Sequence, residues 1–135
     1  MSERPRAIVL GHADFATGLV SAGERITGLG ALFTPMSNDG LGCSDIEQRL
    51  REVMEAEGVR VIFTDLPAGS CNLAAIRLAA GSAEVVVVTG VNQPALLAFA
   101  TQPLDPERAE RGLAEHAVEK GAPALKVIAG RPRVR

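Results

Sequence analysis

Three polar residues stand where apolar runs of this chain break. His12 follows Ala-Ile-Val-Leu-Gly, Asp65 follows residues 59–64, and Ser70 comes directly after Pro67-Ala68-Gly69. A neutral imidazole is a nucleophile at physiological pH, and the hydrogen bond made by one ring nitrogen decides which nitrogen is free to react. A carboxylate in that role selects the tautomer and stabilises the positive charge that develops on attack. Backbone N–H groups at a helix start near Gly69 and Ser70, with the serine hydroxyl, form a cradle for an anion. Histidine, acid and cradle together suit phosphoryl transfer through a phosphohistidine. The plainer readings are that Asp65 only caps a helix and that His12 is a hydrogen-bonded surface residue, and on spacing alone both stand.

The elements that would position these groups follow from hydrophobic pattern. Residues 7–10 and the run 59–64, almost uninterrupted but for Arg60 and the closing Thr64, are apolar on both faces, as parallel strands are when helices cover both sides of their sheet. Residues 84–89, with four consecutive valines, give a further buried strand, and residues 30–35 a shorter one. Phe15, Leu19, Ala22 and Ile26 fall at helical spacing with Gly28 as the stop, and Gly18 and Gly23 within that helix point to close packing on the sheet. Ser44-Asp45-Ile46-Glu47 has the spacing of a capping box ahead of the stripe Ile46, Leu50, Val53 and Met54. Ser70 opens a third helix. Asn92 followed by Pro94 reads as a cap and first turn, and Asp105-Pro106 predicts a last helix reaching Lys120 and stopped by Gly121. Residues 125–128 complete the list as an edge strand.

Strands alternating with helices predict one α/β domain over residues 1–135, a doubly wound sheet of four parallel strands plus an antiparallel C-terminal edge strand. Chemistry in such sheets gathers at the carboxyl ends of the strands, where strand order reverses. Placing the first strand beside the third puts His12 and Asp65 on one rim, with Thr89, Gly90 and Asn92 at a neighbouring strand end.

Composition narrows the function. A hydrophobic content of 47% with 22% charged residues describes a globular chain. A formal charge of −2 and the absence of a basic face argue against nucleic acid, and the basic end Arg131-Pro132-Arg133-Val134-Arg135 reads as a solvated terminus. With no Trp, no Tyr and four Phe, direct stacking on a sugar or a base is disfavoured. Cys43 and Cys71 hold no metal-ligand spacing and are too few for a disulfide framework, so a cytoplasmic protein with free thiols and no metal is expected. The N-terminus has an apolar run of only four residues, too short for a signal peptide or a membrane span. No phosphate-binding Walker loop is present, Gly28-Leu29-Gly30 does not extend into a dinucleotide fingerprint, and no cofactor is expected. Ser70 lacks the Gly-x-Ser-x-Gly elbow of a nucleophilic serine, and His116 reads as a solvent-facing or structural residue of the last helix.

The segments AIVLGHADFATGL, VIFTDLPAGSCNLAA and VVVTGVNQPALL, in that order and at those separations, resemble the enzyme IIA component of the mannose family of the bacterial phosphotransferase system. The resemblance extends to about residue 102. It implies a flavodoxin-like fold and a homodimer in which the final strand exchanges between subunits. It further implies a carrier that accepts phosphoryl on His12 from phospho-HPr and passes it to an enzyme IIB partner. By position His12 matches the phosphorylated histidine, Asp65 its carboxylate partner, and Ser70 the serine near the phosphoryl group. The chain departs from the family in having Ala13 where glycine is common, Ala68-Gly69-Ser70-Cys71 where Gly-Gly-Ser-Pro is usual, and Gln93-Pro94-Ala95 where Leu-Pro-Met follows the asparagine. The loop from Asn38 to Ser44 is also similar to the phosphocarrier subunit of the dihydroxyacetone kinase system, which is the alternative within this class.

Two other classes compete. A regulatory module that senses phosphorylation state without transport would use the same histidine, because a phosphohistidine serves a switch as well as a relay. A receiver-like domain phosphorylated on Asp65 would need an acidic pair after the first strand to hold magnesium, and Asp14 alone does not supply it.

Overall fold

The computed structural model describes residues 4–103 and 109–134. Its centre is a parallel sheet of four strands: β1 (Ala7–Gly11), β2 (Phe33–Ser37), β3 (Val61–Thr64) and β4 (Val86–Val88), in the order β2-β1-β3-β4. Order reverses between β1 and β3, so the two strands that end at His12 and Asp65 lie side by side. Leu10 pairs with Thr64, which sets the residues that follow both strands on the same rim.

Helices cover both faces, as the two-sided apolar strands require. Along β1, Ala7 and Val9 face α1 (Phe15–Thr27), α4 (Gln93–Ala100) and α5 (Glu110–Gly121). Ile8 and Leu10 face α2 (Cys43–Glu57) and α3 (Ser70–Ala80). Phe33, Phe63 and Phe99 meet at the centre of the first layer, with ring centroids 5.1–6.3 Å apart. The second layer is built from Ile46, Leu50 and Met54 against Ala74, Ala75 and Leu78. The small side chains of α3 let it lie close to the sheet.

Several local expectations are corrected. The capping box at Ser44 does not form: α2 begins two residues earlier than that cap requires, at Cys43, its N-cap is Gly42 in an extended conformation, and no side chain caps it. Asp45 in the first turn supplies negative charge there instead. Residues 30–32 form a 3-10 turn, and β2 starts only at Phe33. Gly23 packs against α4 rather than the sheet, where a Cβ would lie 3.3 Å from Gln93 Nε2, and Gly18 has open space around it. Asp105-Pro106, the expected start of the last helix, lies outside the described residues. That helix takes in Gly121 and continues as a 3-10 turn over Ala122–Ala124.

The edge strand over residues 125–128 is not part of this sheet. Those residues have no strand geometry, and Leu125, Val127 and Ile128 are 85–93% exposed. An extended strand needs a paired neighbour to satisfy its backbone, and nothing among the described residues provides one here.

Candidate active site

His12 is placed by the tight exit from β1. Gly11 is fully enclosed: a Cβ there would sit 2.8 Å from the Phe15 ring and 3.2 Å from Asp65 Oδ2, so only glycine lets the rim close. The next turn carries Ala13 at φ 49°, a left-handed conformation that side chains other than glycine adopt at a cost. Phe15 N–H donates to the His12 carbonyl and starts α1.

Asp65 leaves β3 one residue beyond Thr64 and turns toward the histidine. Its Oδ2 accepts two hydrogen bonds from His12, one from the backbone N–H at 2.8 Å and one at 2.8 Å from Nδ1. The Asp65 side chain is 8% exposed while the imidazole is 43% exposed, so the acid is sealed beneath a ring that reaches solvent. Burial alone pushes the Asp65 carboxyl up. The hydrogen bonds from the His12 backbone and imidazole, with the charge attraction of His12, outweigh it and hold the carboxyl below the ordinary carboxylate range. An ionised carboxylate only accepts, so Nδ1 of the neutral ring carries the proton and Nε2 keeps its lone pair.

The loop that follows Asp65 is fixed by the strand-end residue Thr64 together with Asn72, which the sequence did not single out. Thr64 is completely buried, and its hydroxyl donates to Asn72 Oδ1 at 3.0 Å. Asn72 Nδ2 in turn donates to the Pro67 carbonyl at 3.2 Å. The pair ties the end of β3, the turn and the first helical residues of α3 into one piece. The signal was present as a polar side chain in the apolar first turn of α3, which must find buried partners. Pro67 also lies against Gly90, whose φ of 68° bends the chain away after β4.

Gly69 is the N-cap of α3 at φ 93°, and a Cβ there would stand 3.7 Å from His12 Cε1 and 3.8 Å from Nε2. The start of α3 therefore faces the free nitrogen of the imidazole. Ser70 is the first helical residue and is half-buried. Cys71, next in line, is completely buried. Burial and then the nearby Asp65 charge push its thiol up to about 11, against an opposing hydrogen bond from Ser70.

Of the expected rim residues, the structure brings His12, Asp65 and Gly69 together, with Ser70 adjoining. Asn92 has another task. Its Oδ1 accepts the Ala95 N–H and its Nδ2 donates to the Gly121 carbonyl, so it caps α4 and binds it to the end of α5. His116 is half-buried on α5.

The same architecture recurs in solved structures. The mannose/sorbose-specific IIA subunit of the phosphotransferase system from Enterococcus faecalis matches at a TM-score of 0.77 and 20% identity, covering 98% of this chain and 100% of that one. The phosphotransferase system component EIIA from Streptococcus agalactiae matches at 0.77 and 20%, covering 90% and 95%. The IIA protein associated with the fucose utilization operon of Streptococcus pneumoniae matches at 0.73 and 20%, covering 94% and 96%. At these identities the likeness shows the fold, which is the flavodoxin-like one expected. No curated protein sequence gives a significant match. The model of the EIIA-man family, described as the PTS system fructose IIA component, matches residues 6–111, a span that holds the whole His12, Asp65 and Gly69 rim. The chain therefore belongs to the EIIA-man family and is a mannose-type IIA component of the phosphotransferase system.

Proposed function

We propose that this IIA component carries phosphoryl on Nε2 of His12, taking it from phospho-HPr and giving it to an enzyme IIB partner during sugar uptake. The observation that carries the reading is the double hydrogen bond of Asp65 Oδ2 to His12, which fixes the ring and leaves Nε2 unprotonated at the rim. In the forward step the Nε2 lone pair attacks phosphorus, the Nε2–P bond forms, and the bond from phosphorus to the donor atom breaks with its electrons staying on the donor. Positive charge grows on the ring, and the Nδ1–H bond to an ionised Asp65 offsets it. The start of α3 supports a role for Gly69 and Ser70 at the phosphoryl oxygens, because backbone N–H groups and the helix dipole favour negative charge there. The reverse sequence delivers the group to IIB, and a half-exposed imidazole suits a group that two partner proteins must reach in turn.

We further propose a homodimer in which the C-terminal segment of one protomer pairs with the other. Exposed Leu125, Val127 and Ile128 and the outer edge of β4 support it. No helix among the described residues is long and apolar enough to cross a membrane. We place the carrier in the cytoplasm, where free Cys43 and Cys71 stay reduced.

The test is incubation with phosphoenolpyruvate, enzyme I and HPr. Acid-labile label is expected on His12 and should be absent from folded His12→Ala. Label that is missing from the wild-type protein, or that survives acid as phosphoserine does, overturns the reading.

A further inference from the structure

One feature of the rim is not used by phosphoryl transfer. Asp65 Oδ1 is buried and has no hydrogen-bond partner, although its side chain is more than nine-tenths buried. Leaving a buried carboxylate oxygen unpaired is costly, and such atoms in native proteins generally meet a proton donor or an ion. Beside it, ligand atoms of His12, Asp65 and Cys71 lie within 4.8 Å of one another. They come from three places distant in sequence: the ends of β1 and β3 and the first turn of α3. Tetrahedral zinc, with bonds of about 2.0–2.3 Å, spaces its ligands roughly 3.5 Å apart, so small side-chain rotations close this triangle on an ion.

We propose that His12, Asp65 and Cys71 form a site for a zinc-class divalent ion, which competes with the phosphoryl group for the same imidazole. The donor set selects the metal. One nitrogen, one carboxylate oxygen and one sulfur suit a borderline-soft ion such as Zn²⁺, whereas Mg²⁺ and Ca²⁺ favour oxygen alone. Three protein ligands leave the fourth position for water, on the solvent side where the ring is half exposed. On binding, the ion displaces the thiol proton to solvent and holds the sulfur as thiolate, and the ring binds through an unprotonated nitrogen, so coordination at Nδ1 moves the ring proton to Nε2. An imidazole whose nitrogen is engaged by the ion, and whose carboxylate partner is drawn to the same ion, no longer accepts phosphoryl.

Zn²⁺ alone is titrated into the full chain against a chromophoric chelator. One equivalent is expected, weakened at least 100-fold in Cys71→Ala and unchanged in Cys43→Ala. Co²⁺ in the wild-type protein should show a sulfur-to-metal charge-transfer band, a readout that needs no variant to fold. Absence of wild-type zinc binding, a cobalt complex without the sulfur band, or Cys71→Ala binding within threefold of wild type overturns the site. Only the competition rests on the phosphocarrier reading. Zinc-loaded protein should take no label from phospho-HPr until the metal is chelated, and unchanged labelling overturns the competition. A protein that binds zinc yet is never labelled without metal refutes the phosphocarrier reading and leaves the site standing.

Discussion

Replacing Asp65 by Asn isolates what the carboxylate does for His12. The Oδ2 atom accepts both the His12 backbone N–H and Nδ1–H, each at 2.8 Å. The backbone donor does not move, so it holds the asparagine carbonyl in the place of Oδ2 and turns the amide NH₂ away from the ring. The Nδ1 tautomer survives, and what is lost is the charge. A hydrogen bond to a charged group contributes about 1.5–3 kcal/mol and a neutral one about 0.5–1.5. A difference of about 1–1.5 kcal/mol in stabilising a positive ring slows phosphoryl acceptance roughly 10-fold. If instead the amide faced the ring, Nδ1 would accept and Nε2 would carry the proton, and the loss would be roughly 10⁴-fold, as in a serine protease with the wrong histidine tautomer. Single-turnover rapid quench at saturating phospho-HPr separates these outcomes from weaker docking. A rate within twofold of wild type, in a variant with unchanged circular dichroism, removes Asp65 from the mechanism. The same variant has a pH signature. The Asp65 carboxyl is held below its unfolded value, so its stabilisation is full above about pH 4 and is lost as pH falls through the depressed folded value. The stability gap between wild type and Asp65→Asn should therefore narrow toward strong acid.

Two backbone predictions follow from glycine geometry. Ala13→Gly removes a left-handed strain of about 1–2 kcal/mol and adds unfolded-state entropy of about 0.4–1 kcal/mol, so thermal denaturation should show Tm rising about 2–4 °C. A fall in Tm refutes that strain. Gly121→Ala should destabilise by about 1–3 kcal/mol in urea, because the new methyl overlaps Ala95 Cβ and lies 2.8 Å from Asn92 Oδ1. Unchanged or higher stability would mean that α4 and α5 are not in contact there.

The sheet and its rim were legible because parallel strands buried on both faces must be continuously apolar, so residues 7–10 and 59–64 announce themselves and their ends fall on His12 and Asp65. The segment motifs added the order of elements. Local pattern could not supply what depends on chain crossing. The Thr64–Asn72 bond spans a strand and a helix, and Cys71 approaches His12 only because β1 and β3 are neighbours. Ser44 failed as a cap for the opposite reason. Its spacing was right, but the backbone had already entered the helix at Cys43, where a serine side chain no longer reaches the first free N–H groups. Residues 125–128 have strand composition but pair with no strand among the described residues, and composition carries no information about whether a segment finds a neighbouring edge.

The burial of Asp65 explains why so much of the rim is built to hold one turn. A carboxylate 8% exposed is costly to seal away, and two N–H donors from His12 offset that cost only if both remain aligned with Oδ2. Alignment requires the turn from Asp65 to Gly69 to be rigid, and it is fixed at Thr64, at Pro67 through Asn72, and at Gly69, whose carbonyl accepts the Leu73 N–H. The orienting free energy is thus supplied when the protein folds, which for the proposed phosphoryl transfer is the condition for electrostatic stabilisation to lower a barrier. The exposed ring and the sealed acid are complementary halves of that arrangement: in the proposed relay Nε2 meets its partners in water, while Nδ1 meets a charge from which water is excluded.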